Sequence, residues 1–263
     1  MRREKMAERQ GWAKHMDSIG FTIHEAKTGN PYWSEDRCYV LSPTEIDELE
    51  VATNTLHQLC RKAVAYVVEQ YRAGNTAPLA AFDMPEACWS LVAESWERQD
   101  PEVYGRFDLR FDGKGPPKLY EYNADTPTSL YEAAVVQYLW LKEVKPDHEQ
   151  WNMLHDALIA AWAAALPDQP FMHFMGVLES REDFINLEYL RDTCAQAGCA
   201  TRLINISALG YDKEEQKFTD GQGGTVGAAF KLYPWEWLVR EGDPEAFRHS
   251  SCRWVEAPWK MLL

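Results

Sequence analysis

Four residues, Arg106, Asp108, Glu121 and Asn123, have the types and spacing to do chemistry together. They lie in GRFDLRF (105–111) and KLYEYN (118–123), which alternate apolar and polar side chains with the period of a strand. DGKGPP (112–117) between them is a turn signal, so the whole reads as a β-hairpin. A loop from Gly113 to Pro116 would set Asp112 opposite Pro117. Asp108 then falls opposite Glu121, and Arg106 opposite Asn123, all on the polar face. Like charges directly opposed destabilise a sheet unless something cationic lies between them. Two carboxylates and an amide carbonyl are the hard oxygen donors that Mg²⁺ takes, with positions left for phosphate oxygens. Arg106 alongside would face phosphate or an acyl phosphate. The plainer alternative is a solvated face on which Arg106 and Arg110 pair with Asp108 and Glu121, and spacing alone favours it.

NADTPTS (123–129) joins the second strand to a helix whose N-terminus offers unpaired N–H groups. Thr126, Thr128 and Ser129 add hydroxyls, which suits a carboxylate or phosphate. Plain capping by Ser129 or Thr128 explains the same residues, and Ser129 with Glu132 has the capping-box spacing. Glu182 and Asp183 open a later helix just past a strand, a place where α/β proteins bind ligands and where acids also serve the helix dipole. No GxSxG, P-loop, GxGxxG or metal-type histidine spacing occurs, and GQGG (221–224) reads as a turn.

The elements that must carry these residues follow from periodicity. Residues 1–20 read as an amphipathic helix, FTIH (21–24) as a short strand and 29–43 as a long aromatic loop. Ser42-Pro43-Thr44-Glu45 starts a helix whose apolar stripe runs to Val67. Further helices are expected after Pro85, over 130–144 and over 148–166, the last ending before Pro167. From residue 171 the pattern is strand, helix closed by Gly198, strand, then TVGAAFKLY (225–233) as a third strand and a helix around PWEWLVREG. That is the signature of an open parallel sheet.

The chain has 263 residues and a formal charge of −14, with no basic stripe, so no nucleic-acid partner is expected. No apolar run spans a membrane, and the start has no signal-peptide core. The six cysteines form no CxxC pair and read as reduced cytoplasmic thiols.

GNPYWSEDRCYVLSPTEIDELE, LRFDGKGPPKLYEYNADTPTSLYEA, FKLYPWEWLVRE and RWVEAPWK resemble the glutathionylspermidine synthetase family of ATP-grasp ligases. The likeness is closest to its bacterial acid–amine ligases without the amidase domain. The resemblance implies an α+β permuted ATP-grasp fold. A helical part with the metal-binding hairpin would cover 1–167, and an α/β pre-ATP-grasp domain 168–263. The C-terminal portion with the nucleotide lysines and glycine-rich lid would be absent, making this a C-terminally truncated form. The implied activity is an ATP- and Mg²⁺-dependent carboxylate–amine ligase forming an amide through an acyl phosphate. Its substrates would be a glutathione-like or other peptide acid and a polyamine-like amine. By motif match Arg106 would steady the phosphates, and Asp108, Glu121 and Asn123 would hold Mg²⁺, with Arg106 and Asp108 also meeting ATP. Thr126 and Thr128 stand where the family has serines that contact the acid, and Glu182 and Asp183 match an acidic substrate-binding pair. Pro127 and Asp183 depart from the family pattern, which leaves the substrate open. A non-catalytic binding remnant and a metal-dependent hydrolase are the alternatives.

Overall fold

The computed structural model describes residues 1–25, 31–166, 168 and 170–263. The first two residues of the expected 29–43 loop, and Pro167 with its expected helix stop, lie outside them.

The N-terminal segment differs from the helix expected over 1–20. Strand β1, Arg2–Lys5, pairs antiparallel with β2, Arg37–Val40, and helix α1 covers only Trp12–Ser18. Gly11, at φ 75°, breaks the helical path, and the partner strand lies too far along the chain for a local pattern to reveal it. Phe21–His24 is a turn rather than a strand, because Phe21 is drawn into a cluster with Met16 and meets Trp33 edge-on at 5.9 Å.

Helix α2, Pro43–Arg72, starts where expected. The Ser42 hydroxyl accepts from Glu45 N at 3.3 Å, and the Glu45 carboxylate accepts from Ser42 N at 2.8 Å. Its apolar stripe, ending in Val64, Val67 and Val68, packs with Trp89, Val92 and Ala93 of α3, Cys88–Glu97, and with Trp259 and Leu262. The hairpin follows as β3, Arg106–Arg110, and β4, Lys118–Asn123. A π-helical turn, Glu132–Val136, then runs into α4, Gln137–Val144. Helix α5 is Leu154–Ala165, starting later than expected.

Strand β5, Phe171–Gly176, helix α6, Arg181–Gln196, and strand β6, Ala200–Asn205, form the expected parallel unit. Gly198, at φ 95°, ends the helix in the left-handed conformation that glycine adopts freely. A small hairpin, β7 (Gly210–Asp212) with β8 (Lys217–Thr219), precedes β9, Ala228–Leu232. Helices α7, Trp235–Glu241, and α8, Pro244–His249, lead to β10, Arg253–Val255. The order β10-β9-β5-β6 is parallel throughout. Both faces are covered, as parallel sheets require. Trp162 of α5 and Leu187 and Leu190 of α6 pack with Phe174 and Phe230 on one side. Phe218, Trp235, Phe247 and Trp254 pack with Met175 and Ala229 on the other.

Candidate active site

The hairpin pairs Arg106 with Asn123 and Asp108 with Glu121, the register expected. Residues two apart on a strand share a face, so these four side chains rise from one surface. Beyond Asp108 the expected four-residue loop fails. A bulge shifts the pairing to Leu109↔Leu119 and Arg110↔Lys118, leaving Tyr120 unpaired and 73% exposed. The opposite face is anchored by stacking of Phe107 on Tyr122 at 3.9 Å, and the Tyr122 hydroxyl lies 3.2 Å from His57 Nδ1 of α2.

Arg106 is the hub of the polar face. Its Nε lies 3.3 Å from Asp108 Oδ1, while Nη1 donates to the Thr128 carbonyl at 3.0 Å and the Thr128 hydroxyl at 3.1 Å. The same nitrogen reaches Ser129 Oγ at 3.5 Å. Arg110 turns to Asp112 at 3.8 Å, and Glu121 accepts from Asn123 Nδ2 at 3.0 Å. Arg106 thus pairs with Asp108, as the solvated alternative expects of it, whereas Arg110 turns away to Asp112 and Glu121 takes Asn123 rather than an arginine. Two carboxylates plus the Asn123 carbonyl oxygen form a hard donor set that fits Mg²⁺ in its chemistry. Among the described residues, no group of three or more His, Cys, Asp or Glu is placed to hold a metal.

The 123–129 segment is tied down from outside. Asp125 pairs through Oδ1 with Lys231 and accepts the Trp235 backbone N–H on Oδ2 at 2.8 Å. Lys231 lies in the wholly buried strand β9 and stands 4.8 Å from the Trp235 ring. Burial pulls its ammonium below the usual lysine range, and Asp125 opposes that shift. A second buried pair, Glu256 with Lys260, fixes the approach to β3. Glu256 accepts the N–H groups of Val103 and Tyr104 at 3.2 Å, and Lys260 donates to the Tyr104 carbonyl at 2.8 Å.

The expected capping box at Ser129 and Glu132 does not form. Ser129 takes φ 68°, a left-handed conformation uncommon for a side-chain-bearing residue. Leu130 N instead donates to Oδ1 of the fully buried Asn186 on α6 at 3.1 Å. Thr128 caps nothing either, since its hydroxyl serves Arg106. Thr126 lines a cleft of about 510 Å³ with Asn123, Asp125, Arg240 and Lys260.

Glu182 and Asp183 sit in the first turn of α6, where Ser180 Oγ accepts from Asp183 N at 3.3 Å. Burial pushes the Asp183 carboxyl up, and Glu182 adds to it. Asn186 Nδ2 donates to the Glu182 carbonyl at 2.9 Å, which joins this turn to the 123–130 segment. Tyr32 donates its hydroxyl proton to Glu132 Oε1 at 2.6 Å. Burial, then Glu132, raises its pKa, and Ser129 and Glu182 are among the groups that act on it. Asp125, Lys231, Asn186, Tyr32 and Glu132 thus join the candidate residues by direct contact with the 123–132 segment. Lys231 carried a signal, being the one charge in an apolar strand; the others carried none.

The model of the family described as glutathionylspermidine synthase preATP-grasp matches residues 3–263, and the chain belongs to that family. A candidate acid–amine ligase of Haemophilus influenzae is 34% identical over 253 residues, covering 94% of this chain and 63% of the relative. The bifunctional glutathionylspermidine synthetase/amidase of Escherichia coli is 29% identical over 202 residues, covering 75% of this chain and 31% of that protein. The trypanothione synthetase of Crithidia fasciculata is 29% identical over 196 residues, covering 71% and 28%. The chain thus spans less than two thirds of each of these relatives, all of which carry the names of ligases. Among the described residues no helix is long and apolar enough to cross a membrane.

Proposed function

We propose that the chain serves an ATP- and Mg²⁺-dependent carboxylate–amine ligase of the permuted ATP-grasp kind, with the hairpin part over 1–167 and the pre-ATP-grasp part over 168–263. The observation that carries this reading is the hairpin register. It sets two carboxylates, an amide and an arginine on one face, in a chain whose relatives are named for joining acids to amines. In such a reaction the acid's carboxylate takes the terminal phosphoryl group of ATP, releasing ADP. The amine then attacks the acyl carbon and expels phosphate.

Asp108, Glu121 and Asn123 would hold the Mg²⁺, which when bound draws in phosphate oxygens and offsets their charge. Arg106 presents a planar fork of donors to phosphate and is held in place by Asp108 and Thr128. Thr126 and Thr128 orient the acid from the segment that Asp125 and Asn186 immobilise. Glu182 and Asp183 face its far end. The names of the Escherichia and Crithidia relatives point to a peptide acid and a polyamine-like amine.

The test is ADP release by a complete ligase containing this chain, in the presence of Mg²⁺, a peptide acid and a polyamine. Release that needs all three, with the amide identified by mass, is the expected result. Metal-dependent amide hydrolysis without ATP would replace the ligase with a hydrolase. Acid binding without any nucleotide turnover would leave a binding protein.

A further inference from the structure

The turn that joins helix α6 to strand β6 has a cysteine on either side of it. Gly198 N donates to the Ala195 carbonyl at 2.9 Å, and Cys199 N reaches back to the Cys194 carbonyl at 3.3 Å. With Gly198 at φ 95°, these two bonds make the helix stop in which the side chains flanking the turn meet, here Cys194 and Cys199. A disulfide needs Cα atoms about 4.4–6.8 Å apart, and a backbone hydrogen bond between the two residues themselves keeps them that close. Their surroundings differ. Cys194 is 1% exposed, with its sulfur 3.9 Å from Met172 Sδ in the core beneath α6, whereas Cys199 is half-buried. Burial pushes both thiols up, Cys194 to about 12, and the hydrogen bond between them raises Cys194 further and draws Cys199 back.

We propose that Cys194 and Cys199 are a redox pair that closes an intrachain disulfide across the end of α6, with a small-molecule disulfide such as oxidised glutathione as its oxidant. The Cys199 thiolate, on the accessible side, attacks one sulfur of that oxidant. The S–S bond breaks, and one thiol leaves with the proton that Cys199 gave up. Cys194 then attacks the Cys199 sulfur of the mixed disulfide from within and expels the second thiol, which takes the Cys194 proton. Two protein thiols are oxidised, and one disulfide is reduced to two thiols. The fold favours the product in two ways. The turn holds the sulfurs together before reaction. Burial also denies the reduced pair the thiolate stabilisation that makes a disulfide strongly oxidising. The same raised thiols make the exchange slow at neutral pH and faster as pH rises. Once formed, the bond ties the start of β6 to the helix that carries Asn186 and, through it, Leu130.

Equilibration of the chain in buffers of graded oxidised-to-reduced glutathione ratio, followed by acid quench, alkylation and trypsin, tests this. Cleavage after Arg191 and Arg202 leaves both cysteines on one peptide, 192–202, whose mass separates dithiol, mixed disulfide and intrachain disulfide. The intrachain form is expected, with an equilibrium constant about tenfold or more above that of the same chain unfolded in urea, because the folded turn has already brought the sulfurs together. Cys194→Ala is expected to stop at the mixed disulfide on Cys199. Cys199→Ala is expected to leave the buried Cys194 unmodified. Equal constants for the folded and unfolded chains overturn the inference, as does a parent chain that keeps glutathione on Cys199 beside a reduced Cys194. Glutathione on Cys194 in the Cys199→Ala chain overturns the order of attack. The readout is chemical and independent of ligase activity, so its failure leaves the proposed function standing.

Discussion

The Asp125 carboxylate grips the Lys231 ammonium across 106 residues of sequence, and its second oxygen holds the backbone of Trp235. One side chain thus fastens the end of the hairpin to the central parallel sheet and to the start of α7.

Removing the acid leaves a fully buried ammonium without its partner. Asp125→Ala is expected to cost about 3–5 kcal/mol in urea unfolding, the usual penalty for breaking a buried pair from one side. Adding Lys231→Met should return part of that loss, because the uncompensated charge goes with it. A double variant no more stable than Asp125→Ala would contradict the clamp.

Arg106→Lys keeps the charge but loses the fork that spans Asp108 and Thr128. In a complete ligase containing this chain kcat is expected to fall of order 10²-fold, comparable to deleting one preorganised donor. Near-normal turnover would reduce Arg106 to a partner of Asp108 on a sheet face.

Asn186→Ala removes the acceptor for Leu130 N in a place water does not reach. A loss of about 1–3 kcal/mol is expected by chemical denaturation, the cost of a buried donor left unmet. Ser129→Ala, by contrast, should change stability little, since Ser129 does not cap this helix.

Asp220 is fully buried in the glycine-rich turn. Burial pushes its pKa up, but the N–H groups of Gln222 and Gly224, then Arg202 and His173, outweigh that and hold it at about 2. An unfolded aspartate titrates near ~3.9. Ionised Asp220 therefore contributes stability that is complete above the unfolded value and is lost as pH falls toward the folded one. The thermal midpoint should drop across that acid range, and Asp220→Asn should flatten the drop. Identical acid limbs in the two proteins would refute the assignment.

What could be read from sequence alone follows the distance over which each contact acts. The Arg106–Asn123 and Asp108–Glu121 pairs were legible because alternation and a short turn fix register locally. The bulge after Asp108 was not, since it depends on how Tyr120 is shed from the ladder. The Ser42–Glu45 cap held because its partners are three residues apart. The Ser129–Glu132 version failed because Asn186, 56 residues away, reaches Leu130 first, and Tyr32 claims Glu132 from 100 residues upstream. Strands β1 and β2 were hidden for the same reason. Thr126, Thr128, Glu182 and Asp183 stood out by their places at helix starts and by motif likeness, and their substrate roles rest on the proposal rather than on spacing.

Strand β6 forms one border of the parallel sheet, and a border strand carries amide and carbonyl groups that another chain can pair with. Arg202 stands in the middle of that strand, its guanidinium bound to Asp220 and lying 5.6 Å from the centre of the Phe171 ring. A charge held in this way blocks strand addition along the border. The glycine-rich turn thus also guards solubility: loosening Asp220 frees the arginine and opens a template for cross-molecular β-pairing. Self-association should then begin at acid pH before the core itself melts.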